Sequence, residues 1–371
     1  VIELPIIQNI TYEGLKSKKL KDQVLKNLNL KSKSSYNKVL LKNDKEKIQS
    51  SLKNLGYYFS KIDVFIEDLD DNKVNIKYEI YPGNKSKIKK IKFIGNKIFK
   101  DSKLKSLIVS EEYKFWKFIS GKKFLNENII NLDQNLLRNF YLNKGFYNVE
   151  IKTSYAKFIN DDEFELVFNI DAKNKIYFGK LDINLPNDFD RSNFDSIFNF
   201  FNKIQNKPYS INSIEKLLDE IDQIVLNDEF RNVDITVNEN LIEDKINIIF
   251  SIQDTASYLV EKINIFGNNV TRENVIRNQI EIDEGDYFNK ILEKKTINNL
   301  KSLNFFKKVS SEILEGENKN SKIINISVEE KPTGEISAGA GAGTNGGTIM
   351  FGVKENNYLG KGISVNSNVT L

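Results

Sequence analysis

Three groups of residues in this chain have types and spacings that could do chemistry. Gly341, Gly343 and Gly346 follow the GxGxxG spacing of a dinucleotide-binding loop. Asp70-Asp71 and Asp161-Asp162 are adjacent carboxylates of the kind used for acid–base work. Lys85, Lys87, Lys89, Lys90, Lys92, Lys97, Lys100 and Lys103 crowd one short stretch that could meet an acidic partner or anionic headgroups. Context weakens each reading. A phosphate loop needs a helix opening directly behind it, whereas the residues after Gly346 alternate with period two. The aspartate pairs lie between strand patterns, where Asp serves as a turn residue. The lysines read as the solvated side of a strand whose other side carries Ile91 and Phe93. The chain has 0 histidines and 0 cysteines, which removes histidine general bases, thiol nucleophiles and the usual zinc sites together. What remains for catalysis is carboxylate, Lys, Tyr, Ser and Thr, a thin set for an enzyme, and no cofactor is expected.

The elements that would position these residues repeat four times. Each repeat opens on an alternating strand with a turn behind it: Ile10 to Gly14, Ile91 to Asn96, Leu181 to Pro186, and Ile263 to Asn268. The starts are 81, 90 and 82 residues apart, the period of one small domain. A helix follows, with an apolar stripe at Ile48, Leu52 and Leu55; at Ile129, Leu132, Leu136 and Phe140; at Ile214, Leu217, Leu218, Ile221 and Val225; and at Ile297 and Leu300. Asn126, Ser210 and Asn289 stand where N-caps belong. Each repeat ends on a hairpin whose second strand is Val74 to Ile80, Phe164 to Ile170, Ile246 to Ile252, or Ile323 to Val328. A shorter helix, such as Ser102 to Val109, precedes the long one. The unit is therefore β-α-α-β-β, an α+β fold in which a three-stranded mixed sheet buries two helices on one face. The third repeat departs, with Leu185-Pro186-Asn187 in place of Gly-Asn and no Gly-aromatic corner. The expected domains are 6–86, 87–174, 175–255 and 256–331, after the end of a preceding one at 1–5 and before a different segment at 332–371. Tyr113 to Gly121, with Phe115, Trp116 and Phe118, reads as an aromatic loop plugging its own domain.

Beyond Pro332 the helical period disappears. Nine of the chain's 19 glycines lie between Gly334 and Leu371, alongside only four charges, Glu335, Lys354, Glu355 and Lys361. Ile336, Ala338, Ala340 and Ala342 alternate with Ser337, Gly339, Gly341 and Gly343. Thr344 to Gly347 forms a hairpin turn, after which Ile349, Phe351 and Val353 alternate with Thr348, Met350 and Gly352. Asn356 to Gly362 is a second turn, leading to Ile363, Val365, Val369 and Leu371. One apolar face and one small or polar face is the rhythm of an antiparallel transmembrane β-barrel strand. Three strands cannot close, and an open edge in hydrocarbon is costly, so the barrel is expected to continue past Leu371.

Bulk properties agree. The formal charge of +4 arises from 55 basic and 51 acidic residues, a mixed surface that does not suggest nucleic acid. No apolar run is long enough for a transmembrane helix. The chain begins with Val and shows no signal peptide, as a mature piece or a fragment would.

At several of these residues the chain resembles the BamA family of outer-membrane β-barrel assembly factors, whose periplasmic arm is a string of POTRA domains. The matching stretches are Gly95-Asn96, Gly267-Asn268 and Leu303 to Val309. The most specific is the junction: Val328 to Gly334, Gly339 to Gly343, and Asn357 to Gly362. The resemblance implies POTRA domains two to five and the first barrel strands, in the outer membrane with the repeats in the periplasm. It implies unfolded outer-membrane protein precursors, Bam accessory lipoproteins and outer-membrane lipids as partners. Glu284 falls at the acidic position that contacts the BamD lipoprotein, with Arg277 at a basic position beside it. By the same resemblance, the edge formed by Tyr147, Val149, Ile151, Thr153 and Tyr155 would add precursor segments as extra strands. The Gly- and Ala-rich strand of Ile336, Ala338, Ala340, Ala342 and Gly343 would line a gate whose weak seam templates insertion. A POTRA-bearing secretion pore, of two-partner or TamA type, is the rival; it carries two or three such domains where four are counted here.

Overall fold

The computed structural model describes residues 4–26, 28–114, 121–157, 162–187, 189–227, 233–343 and 346–371. Of the aromatic loop, Phe115, Trp116 and Phe118 lie outside the described residues, as do Asp161 and the turn residues Thr344 and Asn345. The chain divides into two compact units, one of residues 1–177, 207–212 and 243–245, the other of 178–206, 213–242 and 246–371.

Four segments share one element order. The first holds β1 (Ile6–Glu13), α1 (Lys18–Val24), α2 (Lys38–Asn54), β2 (Lys61–Leu69) and β3 (Lys73–Tyr81). The second holds β4 (Lys87–Asn96), α3 (Asp101–Lys105), α4 (Glu127–Leu142), β5 (Glu150–Lys157) and β6 (Glu163–Asp171). The third holds β7 (Tyr177–Asn184), α5 (Asp195–Ile204), α6 (Ile211–Asn227), β8 (Val233–Ile242) and β9 (Lys245–Asp254). The fourth holds β10 (Leu259–Phe266), α7 (Glu273–Arg277), α8 (Lys290–Ser302), β11 (Phe306–Glu315) and β12 (Ser321–Glu330). In each sheet the last strand lies in the middle, in the orders β1-β3-β2, β4-β6-β5, β7-β9-β8 and β10-β12-β11. Where the register is given, the first strand runs parallel to the middle one and the second antiparallel. The sheet is therefore mixed, as the hairpin-ended pattern requires. The expected short helix at Ser102 to Val109 is shorter still, ending at Lys105.

Each core forms between one sheet face and its helices, because alternate strand residues and one helix stripe turn the same way. Ile7, Ile48, Leu52, Ile76 and Tyr78 are buried together in the first segment. Ile88, Phe93, Leu137, Tyr141 and Phe168 are buried in the second, and Val260, Ile276, Leu300, Ile324 and Ile326 in the fourth. Phe178, Leu217, Ile221, Ile248 and Phe250 are buried in the third, which thus keeps the layout despite its divergent turn. Gly14, Gly95 and Gly267 end three of the first strands at φ of 91°, 86° and 88°. A Cβ there would run into the carbonyl oxygens of Ile80, Ile170 and Val328 on the neighbouring middle strand, so position and conformation both demand glycine.

Two sequence expectations need correcting. The buried stripe of α4 is Ile130, Asp133, Leu137 and Tyr141, with Leu132 exposed and Leu136 and Phe140 only partly covered. The helix carries two overlapping apolar stripes, and the one containing a carboxylate faces inward because that carboxylate has work there. Asp133 Oδ1 accepts from the Val109 amide at 2.5 Å, and its two oxygens lie 3.3 and 3.2 Å from the Ser110 amide. Burial, the larger influence, pushes the Asp133 carboxyl above its usual range against these hydrogen bonds. The same device recurs. Asp44 of α2 accepts from the amides of Asn29 and Leu30, both at 2.8 Å, and Thr296 of α8 accepts from that of Glu281 at 2.9 Å. Helices α2, α4 and α8 thus each hold the preceding loop by a polar side chain in the core.

The second correction concerns caps. Asn126 and Asn289 cap α4 and α8 as expected, accepting from Ile129 and from Ile291 and Leu292. At α6, however, the Ser210 hydroxyl donates to Asn143 Oδ1 at 2.9 Å, and that oxygen also accepts from the Asn212 amide at 2.9 Å. The cap comes from the residue ending α4, so one segment finishes the helix of the next. Asn54, ending α2, likewise accepts from the Asn126 side chain through its carbonyl oxygen.

Replacing Asp44 with Ala would strand two loop amides, Asn29 and Leu30, in a buried setting. The expected loss is about 2 kcal/mol, to be read as a shifted denaturant midpoint at unchanged slope; a loss below about 0.5 kcal/mol would contradict the loop-holding role.

Candidate functional site

Helix α7 is short and ends on Arg277, which places its guanidinium over the β10 edge. Arg277 Nε donates to Glu273 at 2.7 Å, one turn back, and its Nη2 donates to the Ile263 carbonyl at 3.2 Å. Glu284, on the loop after α7, accepts from the Ile263 amide at 2.9 Å and lies 3.8 Å from Arg277 Nη1. The structure therefore brings Arg277 and Glu284 together, with side chains 43% and 45% exposed, so both keep a face open to a partner. As an isolated exposed pair they would contribute little; their shared hold on one strand residue fixes their orientation.

The edge expected at Tyr147 to Tyr155 is partly misplaced. β5 begins at Glu150, so Tyr147 and Val149 precede it. Val149 is buried, and the Tyr147 ring meets Tyr209 edge-on at 4.9 Å. The apolar alternation continued through a corner that is packed, not extended. Ile151 and Thr153 do lie in β5, at the sheet's outer edge, and the Tyr155 backbone continues it. Gln134 of α4 reaches the Ile151 carbonyl at 3.4 Å, which shows that this residue turns its backbone groups outward. By the alternation of an antiparallel pair, so does Thr153.

Part of the lysine run pairs within its own segment. Lys87, Lys89 and Lys92 pair with Asp162, Glu163 and Glu165 at 2.7, 3.1 and 2.7 Å. Asp71 sits at φ 59° in the tight turn between β2 and β3 and meets Lys73 at 3.2 Å. These are turn and surface roles, and the GxGxxG glycines lie in strands with no helix behind them.

The tail forms β13 (Gly334–Gly343), β14 (Gly346–Glu355) and β15 (Val365–Thr370), a meander in the order β13-β14-β15. Ile363 falls in the turn before β15. Register pairs Ala338 with Phe351 and Phe351 with Val369, and Ala340 with Ile349. Glu335 pairs with Lys354 and Lys354 with Asn366 on the other face. Ile336, Ile349, Phe351, Val353 and Val369 are all exposed, so one face carries an apolar band, interrupted on β15 by Ser367 opposite Val353. The proposed gate residues Ile336, Ala338, Ala340, Ala342 and Gly343 all lie on β13, at the sheet edge.

Sequence reasoning missed how this tail is held. Glu330, ending β12, accepts from the amides of Asn269, Val270 and Thr271 at 2.9, 2.9 and 2.6 Å. The loop so ordered receives the turn after β14: Asn357 Nδ2 donates to the Thr271 hydroxyl at 2.9 Å, and the Arg272 amide donates to the Gly360 carbonyl at 2.9 Å. A methyl at Gly360 would collide with the Val270 carbonyl oxygen, which explains the glycine. The only sequence signal was the glycine-bounded turn itself. Burial would raise the Glu330 carboxyl, but the Thr271 amide and hydroxyl, with the Val270 and Asn269 amides, outweigh it and hold the group below its ordinary 4.5. A carboxylate lowered on folding stabilises above its unfolded pKa and stops doing so as pH falls through the folded value. Amide exchange at 269–271 should therefore accelerate, relative to the intrinsic rate, as pH drops below 4.5. Glu330→Ala should raise that exchange about tenfold at neutral pH and remove its acid dependence. Protection unchanged by the substitution would refute the assignment.

The family model described as "POTRA: Surface antigen variable number repeat" matches residues 5–83, 86–173 and 258–331, more than half of the chain. The third segment lies outside those matches yet folds alike. The outer membrane protein assembly factor BamA of Buchnera aphidicola is 27% identical over 98% of this chain, and that of Neorickettsia risticii 23% over 96%. The chain spans 60% and 48% of those relatives' lengths. Among solved structures, POTRA domains 3–5 of Haemophilus influenzae BamA align at TM-score 0.35 and 14% identity, covering 88% of this chain and 96% of that one. The repeated mixed sheet, the helices on one face and the family match lead to one conclusion: the chain belongs to the POTRA family.

Proposed function

We propose that this chain is the repeat region and barrel start of a central outer-membrane protein assembly factor. On this reading residues 6–86, 87–174, 175–255 and 256–331 are the second to fifth POTRA domains, and 332–371 opens a transmembrane β-barrel. The repeats lie in the periplasm, bind unfolded barrel precursors by strand addition, and dock accessory lipoproteins at Arg277 and Glu284. The exposed apolar band of the tail meets outer-membrane lipid, and β13 forms a seam where precursor strands are templated. No covalent step is involved.

The observation that carries this reading is the pairing of an outward-facing edge at Ile151 and Thr153 with the alternating hairpins at the other end of the chain. An edge strand supplies main-chain donors and acceptors to any extended segment, largely independent of its side chains. That suits a receiver of many unfolded sequences. β13 supports the seam: four of its ten residues, Gly334, Gly339, Gly341 and Gly343, have no side chain to pack. Each interior Gly costs a strand roughly 0.5–1 kcal/mol relative to Ala. Small side chains also give few cross-strand contacts.

Thr153→Pro removes one outward amide from β5 while proline's fixed φ remains acceptable at an edge. With a photoreactive residue at Lys152 in a membrane-reconstituted full-length protein, crosslinking to a urea-unfolded porin should fall about tenfold in the proline variant, the equivalent of one main-chain hydrogen bond. Equal crosslinking with and without the proline would sink the edge assignment.

A further inference from the structure

Every one of these sheets has two edges, and among the described residues a loop bridges only the first-strand one. In all four segments the start of the first strand is met by the loop that leads into the long helix, through an antiparallel bridge: Ile6 with Ser35, Lys87 with Phe124, Tyr177 with Pro208, and Leu259 with Tyr287. The bonds are well formed. The Ile7 amide donates to the Ser34 carbonyl at 2.9 Å, that of Leu125 to Ser86 at 2.8 Å, that of Tyr209 to Ile176 at 2.9 Å, and that of Phe288 to Tyr258 at 2.7 Å. Just past the bridge, the first strand slips register against the middle strand, between Ile88 and Lys90 and between Val260 and Lys262. The loop then leaves the edge, and the next outward backbone groups, at Ile91 and Ile263, would face solvent.

Side chains take over there. Glu112 accepts from the Ile91 amide at 3.0 Å and from Lys105 at 2.6 Å. Glu284 accepts from the Ile263 amide at 2.9 Å while Arg277 donates to the Ile263 carbonyl at 3.2 Å. The spacing is the same in both: the carboxylate lies 21 residues after the strand residue and seven after the cation. Arg277 and Glu284 together satisfy both main-chain groups of one residue, as a neighbouring strand would. By contrast, among the described residues the β5 edge shows only long contacts, from Gln134 to the Ile151 carbonyl and the Thr153 hydroxyl, both at 3.4 Å.

We propose that Glu112 and the Arg277–Glu284 pair are edge clamps: side chains standing in for a fourth strand, so that an extended segment of unfolded polypeptide is admitted only on the second-strand side of these sheets. The clamping itself stands on geometry alone; its consequence for unfolded segments rests on the strand-addition reading above. Blocking a sheet edge with charge is a general defence against unwanted pairing. Here the same residues form the exposed charged pair, so a partner that drew Glu284 away would also uncover the Ile263 edge.

The test uses the whole chain in detergent micelles and two readouts. Amide hydrogen exchange at Ile263 should accelerate about tenfold in the Arg277→Ala/Glu284→Ala double variant, with Ile326 on the middle strand as an unmoved control. Glu112→Ala should do the same at Ile91. Protection unchanged at both residues overturns the proposal, whatever any peptide does. The second readout takes advantage of the absence of native cysteine. A peptide of sequence Gly346–Glu355 carrying a thiol-reactive maleimide is offered to single-cysteine variants Lys152→Cys and Lys262→Cys. Capture is expected at position 152 with or without the clamp, and at position 262 only when the clamp is removed. Capture at 262 with the clamp intact, or none there without it while 152 still captures, overturns the proposal. Capture at neither position counts against strand addition instead, and exchange alone then decides the clamp.

Discussion

The constraint on which this structure depends is the unpaired backbone at the edge of a small open sheet. A three-stranded sheet has one paired strand and two edges, and a row of free donors and acceptors invites pairing with whatever extended chain comes near. Each repeat answers in the same way on its first-strand side, where the loop before the long helix folds back along the strand and bonds to it. In three of the repeats that return is supported by a polar side chain in the helix, Asp44, Asp133 or Thr296, which receives loop amides in the core. Helix, loop and edge are therefore one arrangement. The buried carboxylate is tolerated only because it is fully used.

The same economy of backbone groups governs how segments are joined. Asn143 ends one helix and caps the next, accepting the Asn212 amide, while Asn54 reaches Asn126 in the joint before it. In that earlier joint Phe59 stacks on Phe164 at 4.5 Å, and the Ser86 amide donates to the Gly56 carbonyl at 2.9 Å. Apolar and polar contacts thus converge on a few residues between neighbouring sheets. At the far end Glu330 gathers three amides and thereby shapes the surface that the Asn357–Gly360 turn occupies. A glycine or asparagine stands at nearly every such point, because each requires close approach or a short bidentate side chain.

Much of this was legible in the sequence, and the limits have physical causes. The β-α-α-β-β order, the apolar alternation of the last strand and the two-period tail all follow from local periodicity, which a sequence displays directly. The face of α4 was misjudged because two apolar stripes overlap, and the deciding residue, Asp133, is a carboxylate that pattern reading sends to the surface. The start of β5 was misjudged because Tyr147 and Val149 continue an alternation through a packed corner. Ser210 looked like a cap, but the accepting oxygen belongs to Asn143, 67 residues earlier. The Glu284 position was singled out, yet its bond to the Ile263 amide spans 21 residues and has no sequence signature. What a sequence hides is the long-range satisfaction of main-chain groups.

The tail shows the opposite solution to the same constraint. Among the described residues, β13, β14 and β15 carry no helix over either face, and their apolar band stays exposed. In water such a surface would aggregate; against hydrocarbon it is at its lowest energy, provided the backbone is paired on both sides. β14 meets that condition and β13 does not, since its outer edge has no partner among the described residues. The repeats close one edge with loops and charged side chains, which hydrocarbon would forbid at a barrel seam. A seam of Gly and Ala can be satisfied only by another strand, and it binds that strand weakly through its side chains. On the function proposed above, the charged clamp belongs to the aqueous repeats and the bare seam to the membrane, each set by the solvent it would face.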